Sequence, residues 1–240
     1  MINEITELAK ETYNTKEYKY EYYSDWKWFR KPHTIMKYRQ TKNSINYAID
    51  LINNFYSNKV MEIGIGDGVF TKILVDRGFD VTAVDVSEKM LRMARKRLGL
   101  AVNLILGDFI ETETEKDYGL VFSIRCIEYI DDKPKLINKI SEIGNKVIII
   151  TKNPSFIALK LQDRKLHSKQ IKIKELIKLL EQNNFNKITI KPAMFGKGFH
   201  FPIWRSFLLY LHKKILNSNI KYNNFLIKPF TESYLVVAEK

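Results

Sequence analysis

The sequence predicts a doubly wound α/β fold, a mostly parallel sheet covered by helices on both faces, and three observations carry that expectation. Between residues 59 and 151, five short apolar runs alternate with helical patterns; such alternation builds parallel strands joined by crossover helices. Stop and cap residues stand at the junctions, with Gly78 and Gly99 behind two helices and Ser87 and Pro134 ahead of two others. The fifth run, Lys146–Thr151, is nearly all apolar, as a strand buried on both faces must be.

The elements follow in order. Thr41–Tyr56 sets Ile45, Ala48, Ile49, Ile52 and Phe55 at helical spacing. Lys59–Gly64 is a strand, and Val69–Arg77 is a helix closed by Gly78. Asp80–Asp85 is the second strand, after which Ser87 caps a helix that reaches Leu98. Ala101–Leu106 and Gly119–Ile124 are the third and fourth strands, and Pro134 opens a helix to Ile143. Past the fifth strand, Gln170–Gln182 reads as a helix, Asn186–Lys191 as a strand and Ser233–Glu239 as the last strand. The roughly 40 residues between the final two strands far exceed an ordinary connection. They hold Pro202 at a helix start, then Trp204, Phe207, Leu208, Leu211 and Ile215, with Arg205, Lys213 and Lys214 on the edges. Residues 1–40 interleave Tyr13, Tyr18, Tyr20, Tyr22, Tyr23, Trp26, Trp28, Phe29 and Tyr38 with charges. They read as early helical turns, then an irregular stretch to Pro32. Without repeats or linkers, residues 1–240 read as a single domain. It has an N-terminal cap over 1–40, a core over 41–191 and 231–240, and a helical insertion over 192–230.

With 45% hydrophobic and 28% charged residues, a packed core is expected and wholesale disorder is not. No apolar run approaches the roughly 18–20 residues of a membrane-spanning helix. Met1–Lys10 lacks the basic-then-apolar layout of a signal peptide, so a cytoplasmic location is expected. Cys126, the one cysteine, can form no internal disulfide or cysteine-rich zinc site and reads as a buried thiol. The net charge of +13 is uneven: residues 151–240 carry 17 Lys and Arg against 5 Asp and Glu. A basic face attracts nucleic acid, acidic lipid or phosphorylated metabolites; a compositional bias toward Lys, Asn and Ile accounts for it equally well.

The chemistry concentrates in Val60-Met61-Glu62-Ile63-Gly64-Ile65-Gly66-Asp67-Gly68, which leaves a strand and opens a helix. A glycine-rich turn there lets a ligand approach the backbone. Dinucleotide sites use G-x-G-x-x-G with a pyrophosphate at the helix N-terminus. Here the spacing is G-x-G-x-G, and Glu62 stands two positions ahead, where a carboxylate suits an ammonium group better than a pyrophosphate. Asp85 ends the second strand, followed by Val86; a carboxylate about 20 residues past the turn accepts hydrogen bonds from ribose hydroxyls. Gly107-Asp108-Phe109 offers an acceptor for an exocyclic amine and an apolar face for a purine. Either Asp alone reads as well as a helix cap. Together with the glycine turn, they mark the carboxyl edge where open α/β sheets bind ligands.

From Lys59 to Thr151 the chain resembles class I S-adenosylmethionine-dependent methyltransferases, in particular the small-molecule group that includes quinone-biosynthesis enzymes. Glu62–Gly68 is similar to that family's first motif, Asp85 to its ribose-binding acid and Gly107-Asp108-Phe109 to its adenine-contacting motif. Asp117–Ser123 resembles the fourth-strand motif. Ile127–Asp132 resembles the segment after it, where many members carry His in place of Tyr129. The resemblance implies a Rossmann-like sheet of seven strands, its last strand antiparallel and completed by Ser233–Glu239. It also implies S-adenosyl-L-methionine as cofactor, bound by Glu62, Gly64, Gly66, Asp67, Gly68, Asp85, Val86, Asp108, Phe109 and Ile124. Arg39 reads either as a partner for the cofactor carboxylate or as a solvated arginine.

The expected reaction is methyl transfer to a small organic acceptor, hydrophobic or anionic, by in-line displacement. Residues 1–40 and 193–230 would form a lid, and the Trp204–Ile215 helix reads either as packing on the domain or as one that lies against acidic lipid. No base is identified: His33, His167, His200 and His212 all lie outside the region of resemblance, and His33 and His200 read either as facing the methyl group or as surface or cap histidines. Arg125 reads as a contact for an anionic substrate or as a surface salt bridge. Competing readings are an RNA or protein methyltransferase using the basic C-terminal third, a NAD-dependent oxidoreductase, and a non-catalytic binding protein. Glycine spacing and Glu62 disfavour the oxidoreductase. Ser123-Ile124-Arg125-Cys126 stands where methylation of a base nitrogen would show Asn/Asp-Pro-Pro-aromatic.

Overall fold

Side-chain alternation along the strands builds two separate cores, one on each face of a single sheet. The computed structural model describes residues 4–15, 32–156, 170–196 and 205–240. Strands β1 (Lys59–Ile63), β2 (Asp80–Asp85), β3 (Val102–Leu106), β4 (Leu120–Ile124) and β5 (Lys146–Lys152) run parallel. The last strand, β7 (Thr231–Glu239), lies antiparallel between β5 and β6 (Lys187–Phe195), giving the order β3-β2-β1-β4-β5-β7-β6. The helices are α1 (Glu4–Thr15), α2 (Pro32–Ile52), α3 (Thr71–Val75), α4 (Glu88–Leu98), α5 (Lys133–Ile143), α6 (Ile173–Gln182) and α7 (Arg205–Leu216).

Val60, Ile148 and Ile150 face one core, with Ile45 and Ile49 of α2 and Leu91 and Ala94 of α4. Met61, Val147 and Ile149 face the other, with Leu136 and Ile140 of α5 and Leu176 and Leu180 of α6. This period-two division is the physical content of a doubly wound sheet. It confirms the fold expected from the sequence, down to the antiparallel last strand.

Several boundaries differ from expectation. Helix α2 starts at Pro32, nine residues before Thr41, because proline is tolerated in a first turn and Met36, Gln40 and Ser44 extend its buried stripe. The expected limit between cap and core at residue 40 therefore falls inside a helix. It ends at Ile52 rather than Tyr56, where Asn53 turns to φ 37°. Strand β6 runs four residues past Lys191, through Pro192 and an irregular register; an edge strand tolerates both. Helix α3 is shorter than Val69–Arg77 because the glycine turn extends to Phe70. Expectations for residues 16–31, Pro202 and Trp204 lie outside the described residues.

Candidate active site

The first part of the site is the turn between β1 and α3. Glu62, in β1, is 1% exposed, and its Oε2 has no hydrogen-bond partner among the described residues. Burial pushes its carboxyl up to about 8, with Thr71 opposing and Asp85 reinforcing the rise. Gly64 turns the chain at φ 74°, and a Cβ there would lie 2.2 Å from the Cys126 sulfur. Only glycine fits. Gly66 also has positive φ, yet a Cβ there meets nothing within 4 Å, so the turn is open on that side. Gly68 backs onto Ala94 and Leu98 of α4.

The second part lies across the ends of β2 and β3. Asp85 accepts from the Gly66 N–H at 2.9 Å through one oxygen and from the Ser87 N–H at 2.9 Å through the other. Burial raises its pKa, and those two N–H groups oppose the rise. Asp108 accepts from the Ile110 N–H at 2.9 Å, and the Gly107 N–H donates to the Asp85 carbonyl. Cys126, raised first by burial, feels the carboxylates of Asp85 and Asp108 as well. Glu62, Asp85 and Asp108 therefore converge around one rim. Half-buried Val86 and Ile124 extend it, at the ends of β2 and β4.

Three expected contacts are placed elsewhere. Asp67 turns its carboxylate to Arg97, 2.9 Å away, while Arg97 Nε donates to the Asp67 carbonyl; it ties the turn to α4. The Phe109 ring is buried with Lys139 Nζ 4.9 Å from its centroid, so this residue can lend the site its backbone but no open ring face. Arg39 stands exposed on α2, whose neighbouring side chains do reach the site: Tyr38 stacks on Phe70 at 5.8 Å, and Lys37 pairs with Glu232 at 2.6 Å. Among the histidines, His212 is buried against Phe195, and burial holds it down at about 4, uncharged. His33 begins α2, its side chain outside the described residues, as are His167 and His200.

A polar cluster over β4, β5 and β7 completes the edge. Glu232 sits between Lys37 and Arg125, whose guanidinium is 3.9 Å away. Arg125 adopts φ 55°, unusual without glycine, while its N–H donates to the Ile150 carbonyl. Lys152 is buried, and burial, then Arg125, brings its pKa down to about 8. Glu128 accepts from the Lys152 N–H at 2.7 Å, and its second oxygen is buried without a hydrogen bond among the described residues. Above these, α1 is anchored at both ends, its start also by the Ile5 N–H donating to Asp131 at 3.0 Å. The Ser87 hydroxyl donates to Asn14 Oδ1 at 2.8 Å, the Tyr13 hydroxyl donates to the Tyr129 oxygen at 3.0 Å, and the Thr6 hydroxyl donates to the Tyr129 carbonyl. Sequence reasoning missed Asn14, Lys37, Glu128, Lys152 and Glu232; only Glu128 lay within a recognisable motif.

A buried carboxylate oxygen without a partner, an open glycine turn and two acids held by backbone N–H groups fit a ligand with an ammonium, a diol and an exocyclic amine. S-adenosylmethionine carries all three. Residues 60–145 match the family model described as a methyltransferase domain. The malonyl-[acyl-carrier protein] O-methyltransferase 1 of Ilyobacter polytropus is 27% identical over 138 residues, covering 52% of each chain, so the match spans about half that relative's length. The ubiquinone biosynthesis O-methyltransferase of Rickettsia bellii is 23% identical, over 63% of this chain and 73% of its own. In fold, the chain resembles magnesium protoporphyrin IX methyltransferase from Synechocystis PCC 6803, solved with S-adenosylhomocysteine. The TM-score is 0.65 at 14% identity, covering 98% of this chain and 99% of that one.

Proposed function

We propose that the chain, whose residues 60–145 match a methyltransferase-domain model, is a class I S-adenosylmethionine-dependent enzyme that transfers the methyl group to a small organic acceptor held over β4, β5 and β7. The cofactor, when bound, supplies a methyl on a sulfonium sulfur, already activated for attack. Glu62 takes the ammonium group, losing its proton as it gains a counter-charge. Asp85 accepts from the ribose hydroxyls and Asp108 from the exocyclic amine, with Val86 and Ile124 against the apolar faces. Lys37, Arg125 and Lys152 orient an acceptor bearing an acidic group, and Tyr129 and α1 exclude water above it, so that attack runs in line. The Ilyobacter and Rickettsia relatives are named as O-methyltransferases, and an oxygen acceptor is the corresponding expectation here.

Convergence of Glu62, Asp85 and Asp108 is the observation that supports this reading. A thermal-shift comparison tests it: S-adenosylhomocysteine should stabilise the protein, and NAD should not. Stabilisation by NAD alone would reverse the assignment, and indifference to both would favour a binding protein without catalysis.

A further inference from the structure

We propose that α7 and residues 217–230 form a docking face for an anionic phospholipid bilayer. Helix α7 buries His212, Ile215 and Leu216 against the body of the protein, while Phe207 and Tyr210 stand 53% and 57% exposed on its outer side. The segment that follows returns alongside it and exposes Phe225, Leu226 and Phe230 at 79%, 63% and 47%. Large apolar side chains exposed singly are ordinary; five within 24 residues of one surface element are not.

Charge complements this apolar set. Lys213, Lys214, Lys221 and Lys228 are all exposed among those residues. From residue 182 to residue 231 the chain holds no Asp or Glu at all. With 27 acidic residues in 240, a stretch of that length would carry about five or six if they were evenly spread. A chain-wide bias toward Lys, Asn and Ile does not by itself confine the gap to this stretch. Aromatic and aliphatic side chains ringed by lysines are the chemistry that partitions into the headgroup region of an acidic leaflet.

A cavity of about 180 Å³ opens behind this face. Leu226 and Phe230 line it at the exposed end, and Leu208 and Leu211 of α7 form a wall. Its inner end is buried, at Phe195 and Gln40, and Gln40 Nε2 has no hydrogen-bond partner among the described residues. Gln40 lies one helical turn from Lys37, which pairs with Glu232 in the cluster at the sheet edge. The apolar cavity thus runs inward from the docking face as far as Gln40 and Phe195. The docking face stands on exposure and charge, not on the methyl-transfer reading.

Co-sedimentation of the full chain tests it, with mixed phosphatidylglycerol–phosphatidylcholine vesicles, pure phosphatidylcholine vesicles and a random-sequence RNA oligonucleotide. The expected result is sedimentation with the anionic vesicles at low salt and little with the neutral ones. Binding should fall about tenfold or more in the double variant Phe225→Ser, Leu226→Ser, and similarly in Lys213→Glu, Lys228→Glu. Both pairs are exposed, and unchanged thermal stabilisation by S-adenosylhomocysteine would show that the variants fold and keep the cofactor rim. Absence of vesicle binding by the wild type, or equal binding by wild type and both variants, would overturn the proposal. RNA binding without vesicle binding would overturn it too and assign the basic surface to nucleic acid. Vesicle binding without any response to S-adenosylhomocysteine would support the docking face while sinking the proposed reaction.

Discussion

The carboxyl edge of the sheet is built in two different ways. Over β1, β2 and β3 it is made by backbone turns and short-range contacts: Gly66 reaches Asp85 across 19 residues, and Ser87 and Ile110 each reach back two. Over β4, β5, β7 and β6 it is made by side chains from remote segments, Lys37 meeting Glu232 across 195 residues and Gln40 meeting Phe195 of β6 across 155. A rim defined by backbone geometry suits a ligand that does not change. A rim defined by side chains can be refitted by a few substitutions, which suits an acceptor that differs between relatives of one fold.

The sharpest way to break the first rim is Gly64→Ala. The added methyl would meet the Cys126 sulfur at 2.2 Å in a backbone region that disfavours any side chain. We expect a loss of about 3–5 kcal/mol in urea unfolding. Gly66→Ala shares the positive φ without the collision, so it should cost about 1 kcal/mol while still impairing S-adenosylhomocysteine binding. Equal stability losses would contradict the packing assigned to Cys126.

Glu62→Gln separates stability from binding. Folded Glu62 holds its proton up to about pH 8, against 4.5 for an ordinary glutamate. Across that window the folded chain binds more protons than the unfolded one, so the ligand-free protein loses stability as pH rises. At pH 8 the variant should be more stable than wild type by about 2–4 kcal/mol, and its melting curve should be flatter with pH. The same variant should bind S-adenosylhomocysteine at least about tenfold more weakly, because it forfeits the charge–charge contact. A variant that keeps full affinity would remove Glu62 from the rim.

What could be read from the sequence follows the same division. Glu62, Asp85 and Asp108 were legible because each sits in a short motif whose chemistry is set by adjacent backbone. Asp67 was not, since a motif gives a residue its position but not its direction, and Arg97 claims that carboxylate from 30 residues away. Phe109 fails for a like reason, Lys139 covering its ring from α5. Of the two readings of Arg39, a partner for the cofactor carboxylate or a solvated arginine, its exposed position fits the second. With α2 starting at Pro32, helical rotation carries Arg39 to the solvent face while Gln40 turns inward. Nothing in the sequence near Lys37 or Glu232 could have announced their pairing.

The second rim is tested by Glu232→Gln. Lys37 and Glu232 side chains are 16% and 6% exposed, so removing one charge strands the other in poor solvent. A loss of about 2–3 kcal/mol is expected by chemical denaturation, with the affinity for S-adenosylhomocysteine unchanged by calorimetry. A large drop in that affinity would erase the division between the rims.

The smallest effect belongs to α1, which touches both rims. Asn14 Oδ1 accepts from the Ser87 hydroxyl at 2.8 Å and from the Lys89 N–H at 3.4 Å, holding the helix end over the turn that follows Asp85. Asn14→Ala removes both contacts in a partly solvated place, so about 0.5–1.5 kcal/mol is expected, expressed locally rather than globally. Amide hydrogen exchange should quicken within Glu4–Thr15 and stay unchanged in β4 and β5. Ile5 and Thr6 still hold the start of α1 to Asp131 and Tyr129, so the helix loosens chiefly at its far end. If exchange quickened throughout the sheet, α1 would be part of the core rather than a cover laid across it.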